Sequence, residues 1–226
     1  HLRTRRQRQM CIRDSKQGEG WKKAQKIVLK PDSLPSASCG HPTLDMTGNL
    51  MIFASDIPGG FGGKDLWYSE FNKRDKVWTD PINLGPTINT SGDEMFPHLT
   101  DSKVLYFSST GHQGMGGLDI FKADHTADKT WENVENLRYP LNSAEHDFGI
   151  IFERGSDERR GFFTSNRDGG KGKDDLYSFN LPDIVFSLVV YVTNKEDNEP
   201  VPGVTIALKG DDGSCLLYTS PSPRDK

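Results

Sequence analysis

The sequence has 226 residues, 34% of them hydrophobic, and a formal net charge of −4 at pH 7. Cys11 and Cys215 fall in end segments that are set aside below, and Cys39 alone makes neither a disulfide framework nor a metal site. The absence of an 18-residue apolar run predicts no membrane-spanning helix. The first 15 residues contribute +4 and the last 12 contribute +1, so the remainder carries −9 and is a poor nucleic-acid binder.

Both ends are predicted not to be native protein. Residues 1–15, HLRTRRQRQMCIRDS, and residues 214–226, SCLLYTSPSPRDK, resemble translated sequencing-adapter read-through. The alternative for the first segment is a basic arm that binds nucleic acid or a membrane. A matching segment at the other end favours one artefact, so the expected protein is an internal fragment from residue 16 to about 214.

The first predicted strand covers residues 21–29, WKKAQKIVL. Trp21 precedes Trp78 by 57 residues, which indicates the fourth strand of an earlier sheet.

Three fifteen-residue stretches then align without a gap: FASDIPGGFGGKDLW at 53–67, FSSTGHQGMGGLDIF at 107–121 and FTSNRDGGKGKDDLY at 163–177. Their shared aspartates, Asp65, Asp119 and Asp175, are spaced by 54 and 56 residues. A period near fifty with short apolar runs is typical of a propeller or a solenoid.

Each repeat is predicted to supply one antiparallel sheet of four short strands. In the first repeat these are 42–44, 50–54, 65–71 and a strand beginning near Trp78. In the second they are 97–99, 104–107, 119–123 and a strand at Trp131. The third supplies 148–152, 161–164 and 175–179, and lacks a fourth strand. Propellers have four to eight blades, so these sheets are too few to close a ring.

The sequence changes character after Pro182. Residues 184–192 and 200–208 are predicted strands separated by a polar turn. No segment shows helical periodicity. We therefore predict an all-β chain, with a partial β-propeller at 16–181 and the truncated start of a β-sandwich at 184–213.

Several positions recur in the repeats and are predicted to be structural. The tryptophans are expected to pack between adjacent sheets, and the aspartates are expected to accept backbone N–H groups of the glycine turn. The recurrent positions are Asp65, Asp119, Asp175, Trp21, Trp78, Trp131, Ser55, Ser109 and Ser165.

Alternative chemistry at these positions is disfavoured. A phosphate cradle needs a helix after the glycine loop, whereas a strand follows residues 59–63. Loop acids such as Asp56, Asp168 and Asp174 lack the spacing of a calcium loop. His98 and His146 lie near Glu94 and Asp147, but no nucleophile accompanies them. We predict no catalytic, metal or cofactor-binding residue.

The repeats resemble the WD40-like, or PD40, propeller repeats of the TolB-related kind. They share a Pro-x-Leu strand, an aromatic strand ending in Ser-Ser or Ser-Asn-Arg, a glycine loop and Asp-Leu/Ile-aromatic. Residues 78–94, WTDPINLGPTINTSGDE, resemble the propeller of large OmpA-family outer-membrane proteins of Bacteroidetes-type bacteria. One class of these is similar to the PorE component of type IX secretion. The repeats depart from one another where Arg138 and Tyr139 replace Gly85 and Pro86.

The resemblance implies a carboxypeptidase-regulatory-like sandwich after the propeller, and residues 189–208 fit its opening. It implies a non-enzymatic scaffold in the periplasm, associated with the outer membrane, that binds other envelope proteins. Peptidoglycan would be bound only through a domain outside this sequence, and no cofactor, nucleic acid or direct membrane insertion is expected. The alternative is a substrate-recognition propeller of a secreted or periplasmic hydrolase, which neighbouring coding sequence would distinguish.

Overall fold

The structure is a computed structural model that describes residues 11–12, 25–27, 29, 36–127, 129–182, 190–209 and 215–219. The chain divides into two compact units, His1–Leu181 and Pro182–Lys226. All regular elements of the described residues are β-strands. The prediction of an all-β chain is therefore confirmed for this part of the sequence.

The first strands form a small pair and the first large sheet. Strand β1 (Cys11–Ile12) pairs with β2 (Gln25–Lys26). The first sheet contains β3 (Cys39–Leu44), β4 (Leu50–Ser55), β5 (Asp65–Asn72), β6 (Val77–Trp78) and β7 (Ile82–Asn83). The two short strands β6 and β7 both pair with β5, so together they occupy the fourth position of an antiparallel sheet.

The next two sheets repeat this order. The second contains β8 (Glu94–Leu99), β9 (Leu105–Ser109), β10 (Asp119–Ala127) and β11 (Thr130–Asn136), each paired antiparallel with its sequence neighbour. The third contains β12 (Asp147–Phe152), β13 (Arg160–Ser165) and β14 (Asp175–Asn180), and no further strand joins it within the described residues.

The opening strand of each large sheet carries a bulge. Its register with the second strand shifts between Gly40 and Thr43, and the same shift recurs in the other two sheets. The backbone is left-handed there, with φ of 50° at His41, 53° at Phe96 and 68° at Gly149. The extra residue bends the strand without ending it. The opening strands of the first two repeats therefore begin three residues earlier than predicted.

The three sheets pack face to face in chain order. Alternate residues of a strand point to opposite faces, so Ile52 and Ala54 join a core shared with the second sheet, including Phe107 and Phe121. Tyr106 and Ile120, on the other face of the second sheet, join a core with residues of the third sheet such as Phe163. A further core covers the outer face of the first sheet.

The far face of the third sheet has no such cover among the described residues. Leu66, Ile120 and Leu176 occupy the same place in the three repeats, and their exposed fractions are 0%, 0% and 70%. Phe162 is 42% exposed, although its counterparts Ile52 and Tyr106 are buried. Among the described residues, the third sheet is therefore covered on one face only.

The second unit contains one described strand pair. Strand β15 (Thr205–Lys209) pairs with β16 (Cys215–Thr219), so the pair includes part of the segment predicted to be non-native. The predicted strand at 184–192 lies mostly outside the described residues, as does most of the predicted strand at 21–29. The sandwich stays a prediction.

Equivalent positions on covered and uncovered faces provide a test. Ile120→Ala should lower the free energy of unfolding by about 2–5 kcal/mol, because it opens a cavity in a packed core. Leu176→Ala should change it by less than about 1 kcal/mol, because that side chain is 70% exposed. Urea unfolding of dilute protein measures both values, and equal losses would contradict the assigned packing.

Candidate interaction surface at the loop end of the sheets

One end of each large sheet gathers the recurrent polar positions. The opening strand begins, the second strand ends and the third strand begins at this end, which we call the loop end. The paired residues there are Cys39, Ser55 and Asp65 in the first sheet, Glu94, Ser109 and Asp119 in the second, and Asp147, Ser165 and Asp175 in the third.

The recurrent aspartate of each repeat holds the glycine loop closed. Asp65 accepts the backbone N–H of Phe61 at 2.6 Å and of Gly62 at 3.0 Å. Asp119 accepts those of Met115 and Gly116, each at 2.9 Å. Lys171 and Gly172 donate to Asp175 in the same way, at 2.7 and 2.9 Å. The carboxylates therefore replace solvent for loop N–H groups that have no strand partner.

Glycine is required inside these loops because other atoms approach the backbone. A Cβ on Gly60, Gly114 or Gly170 would overlap the aspartate carboxylate of its own repeat. A Cβ on Gly62 would overlap the carbonyl oxygen of Gly92, and one on Gly116 would overlap that of Glu145. The glycine loop is thus a tightly packed structural turn.

The recurrent serines are buried and bind the start of their own sheet. Ser55 donates to the carbonyl of Ser38 at 2.7 Å, and Ser109 donates to the buried Glu94 carboxylate at 2.6 Å. Ser165 instead accepts from Nε of Arg167 at 2.9 Å. The Arg167 guanidinium also donates to Asp147 at 2.6 Å. Arg167 therefore bridges the serine and the acid, which are bonded directly to each other in the second repeat.

Two asparagines form clamps that the sequence patterns did not reveal. Asn89 accepts the N–H of Leu66 at 2.7 Å and donates to its carbonyl at 2.9 Å. Asn142 does the same to Ile120, with both bonds at 2.8 Å. Both asparagines lie in the links that follow a sheet, where a repeated polar residue does not by itself indicate burial.

Neighbouring sheets are joined by backbone hydrogen bonds at the loop end. Gly63 donates to the carbonyl of Gly92 at 2.9 Å, and Glu94 donates to that of Lys64 at 2.6 Å. The second junction repeats the pattern, with Gly117 donating to Glu145 at 3.0 Å and Asp147 donating to Leu118 at 2.7 Å.

A side chain in each link adds to these junctions. Asp93 accepts the N–H of Lys64 at 2.8 Å, and Nδ1 of His146 accepts that of Leu118 at 2.9 Å. His146 therefore binds the neighbouring loop. The Asp147 carboxylate binds Ser143 and Arg167, which places both residues of the suggested His146–Asp147 pair in structural bonds.

The recurrent tryptophans differ in burial. Trp131 is 3% exposed and donates from Nε1 to the carbonyl of Lys103 at 3.1 Å. Trp78 is half-buried against Phe71, with ring centroids 5.3 Å apart. Trp21 lies outside the described residues.

Large apolar side chains project from the loop end. Phe61 and Met115 hold the same place in adjacent glycine loops and are 49% and 50% exposed. Tyr139, in the link between the second and third sheets, is 77% exposed. In the third loop the equivalent position is Lys171, which is also exposed. We call Phe61, Met115 and Tyr139 the apolar tips.

The opposite end of the second and third sheets holds a polar cluster. The Glu158 carboxylate accepts the hydroxyl of Tyr106 at 2.8 Å and that of Ser102. Partial burial favours a raised pKa of Glu158, but the hydroxyl hydrogen bonds outweigh it and lower the pKa. Burial and the bond to Glu158 raise the pKa of Tyr106. Burial lowers the pKa of His98, against the opposing charges of Glu158 and Asp101.

The described ranges contain no group of three or more His, Cys, Asp or Glu side chains placed to hold a metal ion. They also contain no helix with the length and apolar character needed to cross a membrane.

No protein-family model matches the chain. No curated protein sequence matches it either. A solved structure, that of TolB from Acinetobacter baumannii, is similar with 13% sequence identity and a TM-score of 0.44. The match covers 80% of this chain and 40% of the TolB chain, so this chain spans less than half of that protein.

Because only one of two equivalent glycines contacts a neighbouring sheet, we expect alanine substitutions at the two positions to lower stability by different amounts. Gly116→Ala should destabilise the chain by about 1–3 kcal/mol, because the new Cβ displaces the backbone of Glu145. Gly172→Ala should change stability by less than about 0.5 kcal/mol, because the same position of the third repeat has only ordinary contacts. The midpoint of urea unfolding measures both effects; a loss in the Gly172 variant as large as in the Gly116 variant would refute the junction.

The lowered pKa of His98 leads us to expect that the stability of the chain depends on pH. The folded pKa of this side chain lies below the ordinary value of 6.5, so the unfolded chain binds more protons when the pH falls through this range. Stability should therefore decrease from pH 7.5 to pH 5.5, and the His98→Gln variant should lose less over the same interval. Urea midpoints at the two pH values test this, and identical losses in both proteins would show that His98 is not responsible.

Proposed function

We propose that this chain is a non-enzymatic scaffold module, a partial propeller joined to the start of a β-sandwich, within an OmpA-family envelope protein. The stacking of similar antiparallel sheets in chain order supports the propeller. The resemblance of residues 78–94 to the propellers of that family supports the envelope context.

The observation that carries the proposal is the rigid display of the apolar tips. Phe61 and Met115 donate their backbone N–H groups to Asp65 and Asp119, so each exposed side chain sits on a loop fixed by a buried carboxylate. A binding surface that is ordered in advance loses less conformational entropy when a partner docks. Exposed aromatic and Met side chains are also the residue types enriched in protein interfaces.

The hydrogen bonding of the repeats favours a scaffold over a hydrolase. Each recurrent serine and carboxylate at the loop end makes at least one hydrogen bond to the backbone or to another side chain, as Ser109 does to Glu94 and Asp147 to Arg167. A catalytic serine or acid needs a free atom directed at a substrate. These hydrogen bonds are enough to explain why the polar groups are buried, without assigning them a catalytic role.

The partners that this surface fits are other proteins of the envelope, bound in the periplasm close to the outer membrane. The apolar tips are single exposed side chains, which fit a protein partner whose surface has a pocket for each of them. Peptidoglycan attachment belongs to a domain outside these residues. The module uses no cofactor and binds neither nucleic acid nor the lipid bilayer directly.

Site-specific photo-crosslinking tests the proposed surface. A photo-reactive residue placed at Met115, in the chain exported to the periplasm of a Bacteroidetes-type host, should give a discrete protein adduct. Met46 is the matched control, since it is 68% exposed at the opposite end of the first sheet and should give none. The Phe61→Asp substitution should reduce the Met115 adduct at least several-fold. Equal adducts at the two methionines, or none at Met115, would reject the loop end as the binding surface.

A further inference from the structure

The outer edge of the third sheet is unpaired in the described part of the chain. Strand β14 pairs with β13 on one side, and no described strand lies on the other. In the first two sheets the same edge is covered, by β6 and β7 on β5 and by β11 on β10. A bare strand edge exposes a row of N–H and C=O groups that pair readily with another strand.

The two completed edges show which strand fits. Leu84 and Leu137 donate their N–H groups to the carbonyls of Leu66 and Ile120, both at 3.1 Å. The Asn89 and Asn142 clamps then bind the N–H and carbonyl of the same two residues. Each edge therefore receives a leucine N–H followed, five residues later, by an asparagine side chain.

A second asparagine locks each clamp. Asn83 accepts from the side chain of Asn89 at 2.8 Å, and Asn136 accepts from that of Asn142 at 2.8 Å. Asn83 also donates to the Asp65 carboxylate at 2.9 Å. Asn136 instead donates to the carbonyl of Gln113 at 3.4 Å, so the two completed edges share the asparagine pair but not the bond to the aspartate.

Apolar contacts accompany these polar ones. Leu84 and Ile88 pack in the core between the first and second sheets, and Leu137 and Leu141 pack in the next core. The equivalent face of the third sheet carries the 70% exposed Leu176. An incoming strand of the same kind would cover this side chain.

The residues that follow β14 do not have this pattern. The four tryptophans are Trp21, Trp67, Trp78 and Trp131, so none follows the third repeat. Leu181 extends the existing ladder by donating to the carbonyl of Arg159 at 2.7 Å, and the first compact unit ends there.

We propose that the open edge of β14 is an acceptor for an added antiparallel strand with the pattern Trp-x4-Asn-Leu-x4-Asn. Main-chain pairing with Ser178 and Leu176 supplies part of the binding, as in other strand-addition complexes. The two asparagines supply specificity: the second clamps the N–H and carbonyl of Leu176, and the first accepts a hydrogen bond from the side chain of the second. The acceptor edge is separate from the apolar tips, so it stands or falls independently of the proposed envelope partner.

A peptide from the chain itself tests the acceptor. The probe is residues 130–147, TWENVENLRYPLNSAEHD, labelled with a fluorophore and titrated with the full 226-residue chain. The matched control carries Asn136→Ala and Asn142→Ala, which removes the clamp and keeps the apolar residues. We expect saturable anisotropy for the probe and at least about tenfold weaker binding for the control. Equal binding of the two peptides, or none, would overturn the proposal.

Two further measurements locate the bound strand. Hydrogen exchange should show slower exchange of the amides of residues 175–180 when the probe is present, and protection confined to other strands would overturn the assignment. Leu176→Pro should abolish binding, because it removes an outward N–H without breaking the ladder to β13. Sedimentation that shows self-association unaffected by the probe, with no peptide binding, would identify a second copy as the occupant and reject the added strand.

Discussion

The stacking of the sheets depends on backbone hydrogen bonds between the glycine loop of one sheet and the link that enters the next. Gly63 to Gly92 and Gly117 to Glu145 are the same bond in two successive junctions. Since both partners are main-chain groups, the bond survives large changes of side chain: the link reads Thr-Ser-Gly-Asp in one junction and Ser-Ala-Glu-His in the other. The preceding glycines, Gly62 and Gly116, follow from this contact, because a Cβ on either would overlap the backbone of the link.

Buried polar side chains extend this constraint into the sheets. In the first two sheets the first residue of the opening strand bonds to the serine that ends the second strand. In the third sheet it bonds to Arg167, which also donates to that serine. The aspartate that starts the third strand then fixes the loop between them. A buried polar group without a hydrogen-bond partner raises the free energy of the folded state. These bonds therefore hold the ends of the three strands in register. The loop end is therefore rigid, which is what allows exposed apolar side chains to be held there.

The sequence predicted the parts of this arrangement that repeat and stay local. Strand positions follow from two-residue alternation and the glycine loop, and the aspartate lies only three or four residues from the N–H groups it binds. The asparagine clamps were not predicted, because Asn89 lies 23 residues from Leu66 and nothing local signals the contact. The Tyr106–Glu158 bond spans 52 residues and arises from a turn of the third sheet alone, where Asp157 and Glu158 have left-handed backbones. The other repeats have no equivalent contact, so comparing the repeats in the sequence does not predict it.

The third repeat departs from the other two on one side only. Toward the preceding sheet it keeps the pattern, since His146 donates to Asn166 as Asp93 donates to Thr110. Toward the following sheet it differs: Lys173 stands where Gly63 and Gly117 approach the next link. A glycine that meets no neighbouring backbone costs conformational entropy and gives no contact in return, so a lysine is tolerated there. Of the three described sheets, the third therefore lacks the glycine through which the other two approach the next link, while its contacts with the preceding sheet are the same.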